Sequence, residues 1–163
     1  MNDTPLRHRL FGALALLLPW SDALAFRVPF FSMGLVSADV QQLLVLPALP
    51  VLLVDRLMPL GLGSLLLLVA LFWAVVRNPG VPYFVRFNVL QAILVDIVLA
   101  VLGFAFSIFG CRPGFGGGFA CQAFTNTVFL GSLLLVGFSL VQCLRGKEPE
   151  IPSISDAVRM QLF

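Results

Sequence analysis

The residue best placed to do chemistry in this chain is an acid inside a run of apolar residues. Asp96 lies within the stretch 87–109, where an ionised carboxylate near a bilayer centre costs about 2.5–3.5 kcal/mol on insertion scales. No Lys or Arg shares that stretch, so hydrogen bonds from Ser, Thr, Asn or Gln, a bound proton, or a water-filled cavity must compensate. At 100° per residue, Ala92, Asp96, Ala100, Gly103 and Ser107 form one narrow stripe, with Asn88 and Gln91 beside it. Small and polar residues belong at helix contacts within a bundle, away from lipid. Two roles fit Asp96 equally in kind: part of a polar pathway, or a hydrogen-bonded contact between helices.

A second stripe lies on the stretch 123–144, where Gly131, Ser132, Ser139, Gln142 and Cys143 share about a third of the circumference. The two stripes make these stretches expected neighbours. Run antiparallel, they bring Gln142 to the depth of Asn88 and Gln91, and a contact between those amides is expected. Cys111 and Cys121 bracket a Gly-rich connection, and either a disulfide or two free thiols fits it; a bridge would contribute about 2–4 kcal/mol on the chain-entropy model. Cys143 is expected to pack as a small apolar group.

Other chemistry is poorly supplied. His8 is the one histidine and stands between Arg7 and Arg9, with no second His or nearby Cys to complete a metal site. No Ser/His/Asp or Cys/His constellation can be assembled, and no glycine-rich phosphate loop follows a strand. The chain is therefore expected to be no enzyme and to carry neither metal nor cofactor. Ten basic and eight acidic residues are scattered along it, with no cluster able to neutralise successive phosphates, which excludes nucleic acid as a partner.

The elements that must position these groups are membrane helices. Of 163 residues, 60% are apolar and 11% charged, against globular averages of about half and a quarter. The apolar residues come in unbroken runs, so lipid is the expected solvent and the bilayer the first partner. The expected fold is an all-α membrane protein, a four-helix transmembrane bundle forming one domain over 1–163. Its spans are expected at about 10–27, 57–76, 87–109 and 123–144, since about 20 residues cross 30 Å of hydrocarbon. The stretch 43–54 is apolar but short and carries Pro47 and Pro50; it reads as an interfacial or re-entrant segment, with a five-helix arrangement as the alternative. The start of the chain imitates a secretory signal, with Arg7, Arg9, the run 10–18 and Ala23-Leu24-Ala25. A retained first helix is preferred because apolar character resumes at Val28. Pro19 would kink that helix, and Asp22 would sit near its far end, within reach of headgroups.

With four spans, Arg7, Arg9, Arg77, Arg86, Arg145, Lys147 and Arg159 fall on one side and Arg27, Arg56 and Arg112 on the other. Loops rich in Lys and Arg stay cytoplasmic, so both termini are expected there. Trp73 and Tyr83 flank the turn between Arg77 and Arg86, as rings at a headgroup layer do. In the tail 145–163, Ser155 and Asp156 are helix-start residues ahead of a short amphipathic helix expected to lie on the membrane surface.

The segments Val76-Arg77-Asn78, Phe84-Val85-Arg86-Phe87-Asn88 and Gln91-Ala92-Ile93-Leu94-Val95-Asp96-Ile97 resemble the most recognisable part of the Tic-twenty family, in its cyanobacterial form. Leu17-Leu18-Pro19, Ser21-Asp22-Ala23-Leu24, the Leu-Pro repeat 46–50 and Ile151-Pro152-Ser153-Ile154-Ser155-Asp156-Ala157-Val158 extend the resemblance over most of the chain. It implies a membrane subunit of the chloroplast inner-envelope protein translocon or its bacterial counterpart, with four spans and both termini on the stromal or cytoplasmic face. On a translocon reading of the residues, Asn88, Gln91 and Asp96 line or support a polar path with Arg77 and Arg86 at its cytoplasmic mouth, and the expected partners are a translocating polypeptide and other translocon subunits or homo-oligomers. The Gly-rich cysteine loop departs from the family pattern. No Ser- and Arg-rich transit segment is recognised, so a bacterial or organelle-encoded product is expected, in a plasma, thylakoid or plastid inner-envelope membrane. Other readings of the residues are a small-solute or ion transporter using Asp96, and a non-conducting assembly factor.

Overall fold

A backbone surrounded by hydrocarbon must satisfy its own donors and acceptors, which a helix does within one segment. The computed structural model describes residues 5–58, 62–111, 118–152 and 154–162. Among these residues the regular elements are all helices, with no strand. Helix α1 runs Leu6–Phe26, followed by a short α2 at Val28–Ser32 and by α3 at Ala38–Leu57. The shorter α4 occupies Gly63–Val76, and the two longest helices are α5, Tyr83–Ile108, and α6, Phe119–Leu144. Helix α7, Ile154–Leu162, closes the chain. Helices α1, α3, α5 and α6 are each long and apolar enough to cross a bilayer.

The order of contacts fixes how the helices run. Gly12 faces Asn88, and Gly103 faces Phe26, so α1 and α5 are parallel. At one end Cys143 Sγ meets Arg9 O at 3.4 Å, while at the other Phe129 packs on Phe30 and Phe31 with ring centroids 5.6 and 5.7 Å away; α6 is therefore antiparallel to both. Because α1 ends far from where α5 begins, α3 and α4 together must make one net return. Helix α4 alone, nine plus five residues, reaches only about 21 Å. The second crossing is thus a broken one.

This differs from the expected span at 57–76 and the short segment at 43–54. Pro47 and Pro50 each enter at the first turn of a helical piece, where a missing N–H costs nothing, so the helix passes through a 3-10 turn and continues. The break comes later. Met58 has an extended backbone, φ −98° and ψ 138°, the conformation favoured by a residue preceding proline, here Pro59.

The larger rearrangement concerns α1, which lies between α5 and α6. It packs along both, whereas the backbones of α5 and α6 scarcely approach each other. The expected direct pairing of those two helices is corrected accordingly. Gly12 makes the insertion possible, since a Cβ there would stand 2.8 Å from Cys143 Sγ and 3.2 Å from Asn88 Cβ. On α6 the inward seam is Thr125, Phe129, Ser132, Val136, Ser139 and Cys143, an alternation of four and three that suits helix packing. Gly131 and Gln142 of the expected stripe lie off it. One core cluster holds Leu16, Val85, Phe87, Leu90, Val136 and Val158; the other holds Leu24, Phe26, Ala48, Val95, Leu99 and Phe129.

Candidate functional site

The first half of α5 is buried on every side, because α1, α4 and α7 all pack on it. Asn88, Gln91 and Asp96 are 1%, 1% and 3% exposed, so all three are turned into the bundle. The two amides donate to backbone. Asn88 Nδ2 donates to Phe84 O at 2.8 Å, and Gln91 Nε2 donates to Pro149 O at 3.2 Å. All three residues keep a buried oxygen without a donor among the described residues: Asn88 Oδ1, Gln91 Oε1 and Asp96 Oδ1. Buried acceptors are normally satisfied, and each one left bare costs about 1–3 kcal/mol. Three on one helix make a polar spine.

Asp96 meets a partner that the sequence reading placed elsewhere. Asp22 is not at a free helix end; α1 continues to Phe26, and the Asp22 carboxyl is brought close to that of Asp96. Two carboxyl groups can hydrogen-bond only if one of them carries a proton, since ionised carboxylates only accept. A third acid, Asp55 of α3, lies within electrostatic reach of Asp22. It is engaged locally, its Oδ1 accepting from Ser64 N–H at 3.2 Å, where a carboxylate suits the start of α4. That contact is close because a Cβ on Gly63 would overlap the Asp55 backbone. Acids from three crossings thus converge on one region.

Gln142 does not join this spine. The expected bond to Asn88 or Gln91 is absent because Cys143, one position on, takes the inward place and α1 intervenes. Gln142 is half-buried instead and lines a cavity of about 750 Å³ with Phe84, Phe138, Lys147, Glu148 and Glu150. Arg77 and Arg86 do come together, lining a second cavity of about 320 Å³ with Phe72, Val76, Gln161 and Leu162. The guanidinium of Arg77 lies over Trp73, 5.2 Å from the ring centroid, and Arg86 Nε donates to Val76 O at 2.9 Å. Cys111 and Cys121 are joined, with Cα atoms 5.3 Å apart, and Cys143 is a buried free thiol. Residues 112–117 between them lie outside the described residues.

The tail supplies site residues that sequence reasoning missed. It does not lie flat on a membrane; α7 packs along α5, with Val158 fully buried and Ser155 nearly so. The pattern Pro-Glu-Ile-Pro at 149–152 was the available signal for the arm, since two prolines keep that short piece of chain extended. Hydroxyls on α6 contribute packing only: Thr125, Ser132 and Ser139 each donate to a carbonyl three or four residues back.

Comparison with known proteins gives one consistent answer. Residues 5–158 match the family described as chloroplast import apparatus Tic20-like. A Tic20 family protein of Synechocystis is 36% identical over 156 residues, which is 96% of this chain and 93% of that one. The Arabidopsis thaliana protein TIC 20-II, chloroplastic, is 32% identical over 164 residues, 99% of this chain and 75% of its own. A shorter match, 37% over 98 residues, covers 57% of this chain and 46% of the Tic20 family protein Ycf60 of Porphyra purpurea.

Proposed function

Because this chain belongs to the Tic20 family, as a multi-pass membrane protein with its match running nearly end to end, we propose that it is a membrane subunit of a protein translocation or insertion machinery. The family match carries the reading. The polar spine of α5 supports it, because buried acceptors without donors have value only where something polar is to be met or held. In the single chain that spine is covered by α1 and the tail, so a passing polypeptide needs additional surface. Partner subunits or further copies of this chain supply it, and the exposed row Leu43, Leu46, Leu49, Leu53 and Leu57 on α3 is a face they could cover.

The two ends of the bundle differ in charge. Arg9 is beside Leu144, and Arg77 and Arg86 border the end of α7, so the basic residues of three connections gather at one end. That end is the cytoplasmic or stromal one by the rule that Lys- and Arg-rich loops stay inside. Asn88, Gln91 and Asp96, with Gln142 at the rim, then line or support the polar route, and Arg77 and Arg86 stand at its mouth.

The test is photo-crosslinking in native membranes during arrested transport of a preprotein. A benzoylphenylalanine at Phe84 or Phe138, which border the 750 Å³ cavity, is expected to capture the arrested chain, and one at the exposed Val141 only lipid. Capture from Val141 alone, or from none of the three, would remove the translocon reading.

A further inference from the structure

The connection between α4 and α5 brings two arginines and no acid to one cavity. Helix α4 closes in a wide turn, Phe72–Val76, where Arg77 N–H donates to Phe72 O, five positions back, at 3.1 Å. In an ordinary helix position 77 stands about 140° from position 72. The wide turn brings Arg77 back to the face of Phe72 and Val76. Such turns are rare and gather at functional sites. Arg86, in the first turn of α5, closes on the same place by donating Nε to Val76 O at 2.9 Å. Gln161 and Leu162 of α7 complete the lining of the 320 Å³ cavity.

Neither guanidinium has an acid to meet. Arg77 lies over the Trp73 ring and donates to no acceptor among the described residues, and the Arg86 bond uses only Nε. The carboxylates of Glu148 and Glu150 in the tail both pair with Arg159, and no acid lines the cavity. The N-terminus of α5, the positive end of its dipole, adds to the excess, with no acidic residue in its first turn. Two planar forks on one cavity suit a phosphate, whose oxygens accept from guanidinium in pairs.

Depth selects the source of that phosphate. The cavity lies where α4 ends and α5 begins, between the exposed rings of Trp73 and Tyr83, which favour a headgroup layer. Phe72, Val76 and Leu162 give it an apolar wall. A soluble anion gains nothing from such a wall, whereas a phospholipid brings its phosphate to this depth with its acyl chains already beside the wall. Basic pockets between membrane helices hold anionic headgroups in this way.

We infer that the cavity between Arg77, Arg86 and the end of α7 binds the phosphate of an anionic phospholipid, in the leaflet on the arginine-rich side of the bundle. The inference stands apart from the translocon reading. A phosphate held by both guanidiniums ties the end of α4 to the start of α5. A zwitterionic headgroup is disfavoured, because its cation meets two arginines and no carboxylate.

The test uses the purified full chain in nanodiscs of equal parts phosphatidylglycerol and phosphatidylcholine, with native mass spectrometry of the lipid that stays bound on release. Phosphatidylglycerol is expected to be retained in clear excess over phosphatidylcholine, and added inorganic phosphate is expected to leave it in place. Arg77→Gln with Arg86→Gln should lower its retention about tenfold or more, the worth of a hydrogen bond to a charged group. Arg77→Lys with Arg86→Lys keeps both charges without the planar forks and should fall between. Arg7→Gln with Arg145→Gln removes two exposed charges from the same end and should stay within about twofold of wild type, since salt screens charges that act through water. Helix content by circular dichroism checks that each variant is folded, and the lipid preference of the unmodified chain needs no variant. Equal retention of the two lipids, no loss in the Gln pair, or an equal loss in the Arg7 and Arg145 variant would overturn the inference. Displacement of the lipid by inorganic phosphate would overturn it too, by assigning the arginines to a soluble anion.

Discussion

Replacing Asp96 by Asn and by Ala separates a hydrogen-bonded carboxyl pair from a mere polar contact. The Asp22 and Asp96 carboxyls lie close together; if they share a hydrogen bond, one of them carries its proton, and an amide at 96 would supply an equivalent N–H donor to the Asp22 carboxylate. Asp96→Asn therefore keeps the contact and is expected to leave stability within about 1 kcal/mol, the net worth of an ordinary hydrogen bond. Asp96→Ala removes the partner and leaves the Asp22 carboxyl inside the bundle, within electrostatic reach of Asp55. The loss is then about 1–3 kcal/mol for the unsatisfied group. Asp22→Ala should cost a similar amount, and the double alanine variant less than the sum, by a coupling of roughly 0.5–3 kcal/mol. Unfolding titrations in mixed micelles measure all four corners of the cycle. Equal effects of Asn and Ala at 96, or strictly additive alanines, would show that the two carboxyls do not act as a unit.

Gly12→Ala places a methyl 2.8 Å from Cys143 Sγ and should cost about 1–3 kcal/mol through overpacking. Adding Cys143→Ala removes that sulfur and should restore part of the loss in the same titration; no restoration would place the strain at Asn88. Gly63→Ala drives a Cβ into Asp55 N and Val54 O, both 2.6 Å away, and backbone cannot yield as a side chain can, so the loss should reach the top of that range. Gly131→Ala, with nothing within 4 Å, is the control and should be neutral or gain up to about 1 kcal/mol in helix propensity. Cys111 and Cys121 should resist alkylation until reduced, by mass spectrometry of the intact chain, and Cys→Ser at either position should cost about 2–3 kcal/mol, the loop-closure value for their separation of 10 residues.

Much of the candidate site was legible because a charged or amide side chain in an apolar run stands out in one dimension. Asn88, Gln91 and Asp96 were found that way, and their inward orientation follows from the cost of facing lipid. Asp22 was found too but placed at a harmless helix end, because the run around it is interrupted by Pro19, Ser21 and Arg27 and its partner lies 74 positions away in the chain. Gln142 failed for a related reason: a helical wheel puts it within 100° of Cys143, and only the neighbouring helix decides which of the two turns inward.

By itself, the sequence determined that this chain is helical, that it lives in a bilayer, how many helices are long enough to cross, and to which family it is similar. Those properties are sums over local stretches, since hydrocarbon demands internally bonded backbone wherever about 20 apolar residues run together. Tertiary structure alone decided that α1 inserts between α5 and α6, that the second crossing is shared by α3 and α4, and that the tail turns back onto α5. Each depends on a close approach between distant positions, Gly12 on Asn88 and Cys143, Gly63 on Asp55, Pro149 on Gln91. In lipid an apolar side chain is as well solvated by a tail as by another helix, so hydropathy carries no record of which neighbour it will meet.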